Sequence, residues 1–141
     1  MPREEPSGLA ARQEALVRAL VEGAPLPDGF DAHRVGTTAR ALARKRYGDA
    51  ARLWPELLAH RDAYVAWAAD HPTRGTWQDV WDFARAHRDS LDAPARAALA
   101  VREALWRYGD APRPRRLPTL RLYPRGVVVA AFGRARLLGR R

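Results

Sequence analysis

The C-terminal residues 111–141 constrain the fold most, because they combine a dense positive charge with a strand-like pattern. They contain nine arginines and no Asp or Glu, so this segment carries a net charge of +9. The whole chain of 141 residues also carries +9, from 25 basic and 16 acidic residues. Residues 1–110 are therefore neutral overall, and we expect the basic segment to contact a charged partner.

Apolar residues interrupt these arginines at a spacing typical of β-strands. Leu120 and Leu122 alternate with Arg121, which is the period of a half-buried strand. The Tyr-Pro-Arg-Gly sequence of residues 123–126 is typical of a tight turn, and Gly133 marks a second break. We therefore predict two or three short antiparallel strands, packed by one face on a helical body, with arginines displayed on the other face or at an edge.

Residues 1–110 show helical periodicity that is interrupted by turn residues. The first predicted helix begins at a cap at Ser7 and ends at about residue 22, and the second covers residues 32–46. A break at Gly48 precedes a short helix to residue 53, and a further helix begins at Trp54-Pro55 and ends at about residue 70. The last two predicted helices begin at caps at Thr76 and Asp92, and the second of these ends at Gly109. We expect a mainly α protein, in which a compact array of five or six helices (residues 1–110) precedes a small C-terminal antiparallel β-meander (residues 111–141) within one structural domain.

The composition argues against several classes of function. The chain has no cysteine, which excludes disulfides, thiolate metal sites and a cysteine nucleophile. It has no window of eighteen apolar residues and no signal-like N-terminus, so we expect a cytoplasmic protein that does not cross a membrane.

No catalytic or metal-binding pattern is visible in the sequence. The four histidines lack a short ligand spacing, no glycine motif for phosphate is present, and neither serine has a partner pattern for a nucleophile. We interpret the three acidic residues Asp79, Asp82 and Asp89 as part of a solvated helix face. We therefore expect neither an autonomous enzyme nor a bound metal or cofactor.

The arginines themselves leave three interpretations open. They are consistent with a plain solvated surface, with phosphate binding, or with capture of an acidic peptide beside an exposed strand edge. The aromatic residues read mainly as core, except for the sequence Trp-Arg-Tyr at residues 106–108, which adjoins the basic segment.

Three stretches resemble an actinobacterial domain that is fused to, or encoded beside, multinuclear non-heme iron enzymes of the methanobactin-oxidase type. They are ARQEALVRALVEGAPLPDGFDAHRVGTTARALARKR (residues 11–46), LWPELLAHRDAYVAWAADHPTRGTWQDVWDFARAH (residues 53–87) and ALWRYGDAPRPRRLPTLRLYPRGVVV (residues 104–129). More distantly, Arg34, Trp54-Pro55, Tyr64, His71-Pro72 and Phe83 are similar to a pattern in a helical domain of their companion subunits that is described as DNA-binding.

The resemblance implies a non-catalytic partner protein that helps an iron-dependent enzyme to recruit or present a ribosomally synthesised precursor peptide. The iron ligands then belong to the enzyme, and the arginine-rich strands engage the peptide. The residues predicted to bind the peptide are Arg115, Arg116, Arg121, Tyr123 and Arg125, with Trp106 as a wall. The alternative is a nucleic-acid-binding module that uses the same arginines on phosphates.

Overall fold

A computed structural model describes residues 8–22 and 24–139, and it has helices followed by antiparallel strands. This confirms the prediction of a mainly α protein with a C-terminal β-meander. The elements are α1 (Gly8–Glu22), α2 (Ala32–Leu53), a 3₁₀ helix (Pro55–His60), α3 (Arg61–Asp70), α4 (Thr76–Ala86), α5 (Ala93–Leu105), β1 (Trp106–Arg107), β2 (Arg113–Pro114), β3 (Thr119–Tyr123), β4 (Gly126–Ala131) and β5 (Arg134–Gly139). The chain divides into two compact units, Met1–Asp79 and Val80–Arg141.

The long helix of the first unit is α2, which the carboxylate of Asp31 caps by accepting from the backbone N–H groups of His33 and Arg34. The prediction of a break at Gly48 is wrong, because α2 continues through this residue to Leu53. One glycine costs a helix interior only about 1 kcal/mol, and tertiary packing offsets that cost. The predicted cap at Ser7 lies outside the described residues.

The chain leaves α2 at Trp54, where Pro55 begins the next helical segment as predicted. This segment is a 3₁₀ helix that passes into α3, whereas a single helix was expected. Trp54, Leu57 and Tyr64 are buried, so the core of the first unit includes this change of direction.

The second unit includes α5, whose N-terminus is capped by the Asp92 carboxylate, which accepts from the backbone N–H of Ala95. The prediction that this helix runs to Gly109 is wrong. It ends at Leu105, and Trp106 begins a two-residue strand that pairs with β2. The alternation of Trp106, Arg107 and Tyr108 therefore belongs to an extended segment and not to a helix face.

The strands β3, β4 and β5 form an antiparallel sheet in that order, and α5 packs on one face of it. We call the face toward α5 the inner face and the opposite face the outer face. Val128 and Ala130 of β4 are buried on the inner face together with Ala100 and Ala104 of α5.

The predicted assignment of the faces is the reverse of the observed one. Arg121 pairs with Val128 and lies half-buried on the inner face, whereas Leu120 and Leu122 are 70% and 83% exposed on the outer face. A period of two defines two faces of a strand but not which of them is covered. The neighbouring strand decides, because Val128 has the small Ala100 and Ala104 of α5 as partners.

No helix in residues 8–22 and 24–139 is both long enough and apolar enough to cross a membrane.

Candidate functional site

The ribbon formed by β1 and β2 places two arginines directly opposite each other. Arg107 pairs with Arg113, and Trp106 pairs with Pro114. Side chains in such cross-strand positions lie about 5 Å apart at their Cβ atoms, and like charges there are destabilising. The ribbon therefore carries a concentrated positive charge that an anion would relieve.

A groove beside this ribbon is also lined by a third arginine. Arg107, Arg113 and Arg116 line it together with Pro114 and Leu117, and all five side chains are at least partly open to solvent. No lining residue is acidic. Guanidinium groups donate paired hydrogen bonds to carboxylates and phosphates, and the apolar walls suit the carbon chain of a peptide. We call these five residues the arginine groove.

Arg115, the residue that follows β2, holds the chain against the end of α5. Its backbone N–H donates to the carbonyl oxygen of Leu105 at 2.8 Å. Its Nε donates to the carbonyl oxygens of Glu103, at 2.9 Å, and Trp106, at 3.2 Å. The bonds to Glu103 and Leu105 satisfy carbonyl groups that the last turn of a helix leaves unpaired. Arg115 therefore positions the groove, and its Nε is already engaged within the chain.

The surroundings of Arg115 are electropositive. Burial is the main cause that lowers the pKa of its guanidinium, and the charges of Arg121 and Arg107 lower the pKa further. The opposing effect of Glu103 is smaller. This region of the second unit thus favours an anionic ligand.

A buried carboxylate stiffens the helix that carries the ribbon. Glu103 of α5 is 5% exposed, and its Oε1 accepts from Nη1 of Arg85 at 2.6 Å and from Nη2 of Arg88 at 2.7 Å. Nearby, Tyr108 donates its hydroxyl to Oδ1 of Asp82 at 2.6 Å, and the Arg85 guanidinium lies 4.1 Å from the centre of the Tyr108 ring. These contacts within the chain therefore hold the elements around the groove in place before any ligand binds.

The residues predicted to bind peptide fall into separate environments. Arg116 lines the groove, and Trp106 is half-buried in β1. Arg121 and Tyr123 lie half-buried on the inner face of the three-stranded sheet, while Arg125 is exposed in the turn after β3. Their role in peptide binding stays a prediction.

Sequence reasoning missed Arg107 and Arg113. The sequence Trp-Arg-Tyr at residues 106–108 was set apart beside the basic segment, but neither arginine was among the predicted binding residues, because a helix that continues to Gly109 does not bring Arg107 opposite Arg113. The signal that would have found them is the pair of short alternating segments, Trp-Arg-Tyr and Arg-Pro-Arg, on either side of the Gly-Asp sequence at residues 109–110.

In the first unit the structure corrects the reading of Asp79 as solvated. Asp79 is 1% exposed. Its Oδ2 accepts from Nη2 of Arg46 at 3.0 Å and from the hydroxyl of Thr73 at 2.7 Å, and its Oδ1 accepts from the backbone N–H of Arg74 at 2.7 Å. This carboxylate fixes the loop before α4 and has no open side for a ligand.

The first unit also contains a cavity of about 320 Å³ between α1, α2, α3 and the loop before α4. Its walls are mainly small or apolar, and Arg46 lines it while bonding to Asp79 and to the carbonyl oxygens of Ala68 and His71. Within the described residues no three His, Cys, Asp or Glu side chains cluster as metal ligands would. The arginine groove is the stronger candidate, because its cations face solvent.

Comparison with known proteins gives two matches. The family described as "SCO6045-like, C-terminal domain" matches residues 10–89. A protein of Streptomyces avermitilis named "UPF0276 protein" is 42% identical over 123 residues, in a match that covers 81% of this chain and 25% of that protein. The chain thus spans about a quarter of the length of this curated relative. No solved structure matches the present chain significantly.

Proposed function

The chain belongs to the family of SCO6045-like C-terminal domains. From its resemblance to a domain fused to, or encoded beside, non-heme iron enzymes, we propose that it is a non-catalytic partner protein of an iron-dependent enzyme that modifies a ribosomally synthesised precursor peptide. Its task is to recruit and present the peptide. The match to one quarter of a longer relative supports the role of a module that works beside another one.

The observation that carries this proposal is the cross-strand pair of Arg107 and Arg113 with Arg116 beside it. Three guanidinium groups around one groove without a lining carboxylate repel one another in the free protein. An acidic stretch of peptide supplies the missing negative charge and gains bidentate hydrogen bonds. The peptide, rather than an isolated ion, also uses the apolar walls formed by Pro114 and Leu117.

The test is fluorescence anisotropy with the labelled precursor peptide encoded beside the enzyme and with a version whose Asp and Glu are replaced by Asn and Gln. We expect the double substitution Arg107→Glu/Arg113→Glu to weaken binding of the acidic peptide at least tenfold. Such a loss corresponds to about 1.4 kcal/mol or more. The amide version of the peptide is expected to bind weakly to both proteins.

The matched control is Arg40→Glu/Arg44→Glu, which makes the same change of net charge at exposed positions of α2 in the first unit. Equal losses from both double substitutions indicate a diffuse charge effect and contradict the groove. A duplex DNA of arbitrary sequence is the competitor. If it binds more tightly than the peptide, with an affinity that falls steeply as salt rises, the protein is a nucleic-acid-binding module instead.

A further inference from the structure

We propose that the outer face of the β3–β5 sheet, together with Phe132 at its tip, is the surface that docks on the enzyme. The complementary surface of the enzyme is apolar at its centre and carries carboxylates opposite β5. This inference rests on the proposed function and names the face that makes the contact. It is separate from the arginine groove, which takes the peptide.

The register of the sheet aligns apolar side chains across all three strands. Leu122 pairs with Val127, and Val127 pairs with Leu138, so these three side chains form one row on the outer face. Leu122 is 83% exposed and Leu138 is 56% exposed. A contiguous row of exposed aliphatic side chains is unusual for a free surface and typical of an interface.

The next rows on the same face become basic toward β5. Leu120 pairs with Val129, which pairs with Arg136, and beyond them Ala131 pairs with Arg134. Leu120 is 70% exposed, and both arginines are exposed. The face is thus apolar on β3 and β4 and cationic along one half of β5, which defines the chemistry of its partner.

Phe132 extends this face at the turn between β4 and β5. Its ring is 94% exposed, and its backbone has a positive φ of 51°, followed by a φ of 73° at Gly133. A bulky residue in the left-handed region is disfavoured, and the ring of Phe132 gains no burial within the chain that would offset this cost. Such a residue at a turn tip is suited to anchor a partner, since hot spots of interfaces favour rigid aromatic side chains.

Net charge argues against a second copy of this chain as the occupant. The second unit contains 14 arginines and five Asp or Glu, a net charge of +9, whereas the first unit carries 11 basic and 11 acidic residues. Two such faces would bring strongly positive units together. An enzyme surface with carboxylates avoids that repulsion and is attracted from a distance.

The test measures binding of the full chain to the separately encoded iron-dependent enzyme of the proposed function by isothermal titration calorimetry. We expect the double substitution Leu120→Asp/Leu122→Asp to weaken this binding at least tenfold, and Arg134→Glu/Arg136→Glu to do the same without touching the apolar rows. Leu58→Asp is the control, because Leu58 is a comparably exposed leucine, at 65%, in the first unit. We expect this substitution to leave the affinity for the enzyme unchanged. Circular dichroism shows whether each variant folds. If the leucine variant does not fold, the affinity of the arginine variant alone tests the docking face.

The outcomes separate this inference from the proposed function. If the wild-type chain binds the enzyme and both outer-face variants bind equally well, the docking face is wrong while the proposed function stands. If the wild-type chain does not bind the enzyme, both are overturned. A dimer in light scattering that the leucine variant dissociates assigns the face to a second copy. Binding to phosphatidylglycerol vesicles that the same variant abolishes assigns it to a membrane surface, and each of these two results overturns the inference.

Discussion

Arg46 of α2 and Asp79 of α4 form a buried ion pair in the first unit, with 3.0 Å between Nη2 of Arg46 and Oδ2 of Asp79. The Asp79 side chain is 2% exposed and that of Arg46 is 21% exposed. Arg46 also donates from Nη1 to the carbonyl oxygens of Ala68 and His71, at 2.6 and 2.8 Å. One guanidinium thus joins α2 to the end of α3 and to the start of α4.

We expect Asp79→Asn to destabilise the protein by about 3 kcal/mol, because removing one partner of a buried ion pair leaves the other charge uncompensated. The amide also loses acceptor capacity toward Thr73 and the backbone N–H of Arg74. Urea unfolding followed by circular dichroism measures the change. Asp62→Asn is the control, since Asp62 is exposed in the first turn of α3, and we expect it to change the unfolding free energy by about 0.5 kcal/mol or less. An equal effect of the two substitutions would show that the ion pair does not stabilise the fold.

The sequence predicts those features of this fold that local chemistry decides. Asp31 and Asp92 cap helices as expected, and Pro55 begins a helical segment. The turn before Gly126 also lies where the Tyr-Pro-Arg-Gly sequence predicts it. Each of these features depends on residues that are neighbours in the chain.

Features that depend on distant residues escaped prediction. Asp79 is buried because Arg46, 33 positions earlier, reaches its carboxylate, and no pattern around Asp79 indicates this. The covered face of β3 is decided by β4 and α5, so the exposed leucines were assigned to the wrong side. The arginine groove needs the pairing of Arg107 with Arg113, which a helix extended to Gly109 hides.

Ionisation of the buried Tyr64 phenol is expected to lower the stability of the protein at high pH. Burial is the main cause that raises the pKa of its phenol to about 12, and the Asp79 charge raises it further, against a smaller opposite effect of Arg46. The folded-state pKa thus lies above the ordinary value of 10.0, so the unfolded state releases its proton first as pH rises. The contribution of Tyr64 is fully present below pH 10 and is lost between pH 10 and 12, by about 2–3 kcal/mol.

Urea unfolding at pH 9, 10 and 11 measures this effect in the wild type and in Tyr64→Phe. The phenylalanine variant lacks the ionisable group, so its unfolding free energy is expected to fall less steeply above pH 10. Parallel pH profiles for the two proteins would contradict the assignment to Tyr64.

Two glycines are expected to respond to alanine in opposite directions. A methyl group at Gly126 would lie 2.6 Å from Cα of Gly139 and would overlap the Leu138 carbonyl oxygen. Because backbone must shift to admit it, we expect Gly126→Ala to destabilise the protein by about 2 kcal/mol.

At Gly48, inside α2, a methyl group meets nothing within 4 Å. Gly48→Ala is therefore expected to stabilise the protein by about 0.5–1 kcal/mol, through the lower backbone entropy of the unfolded chain. Thermal unfolding of both variants checks the prediction, and a gain of stability from Gly126→Ala would contradict the close approach of β4 and β5.

Phe132 is expected to limit the stability of the second unit. Both central residues of its two-residue turn have positive φ, a conformation in which Asn precedes Gly most favourably. Replacing Phe132 by Asn relieves the backbone, since Asn tolerates the left-handed region, and it also removes the ring from the turn. The exposed ring contributes no burial to folding, so we expect a gain of about 1 kcal/mol in unfolding free energy from the backbone alone.

Phe132→Ala separates the two effects, because alanine removes the ring but keeps a Cβ in the left-handed region. We expect Phe132→Asn to be more stable than Phe132→Ala in urea unfolding, and both to bind the proposed enzyme partner more weakly than the wild type. A natural residue that lowers stability at a turn and raises affinity for a partner indicates selection for contact rather than for folding. Full affinity in both variants, measured by calorimetry, would mean that the ring at the sheet tip does not contact the partner.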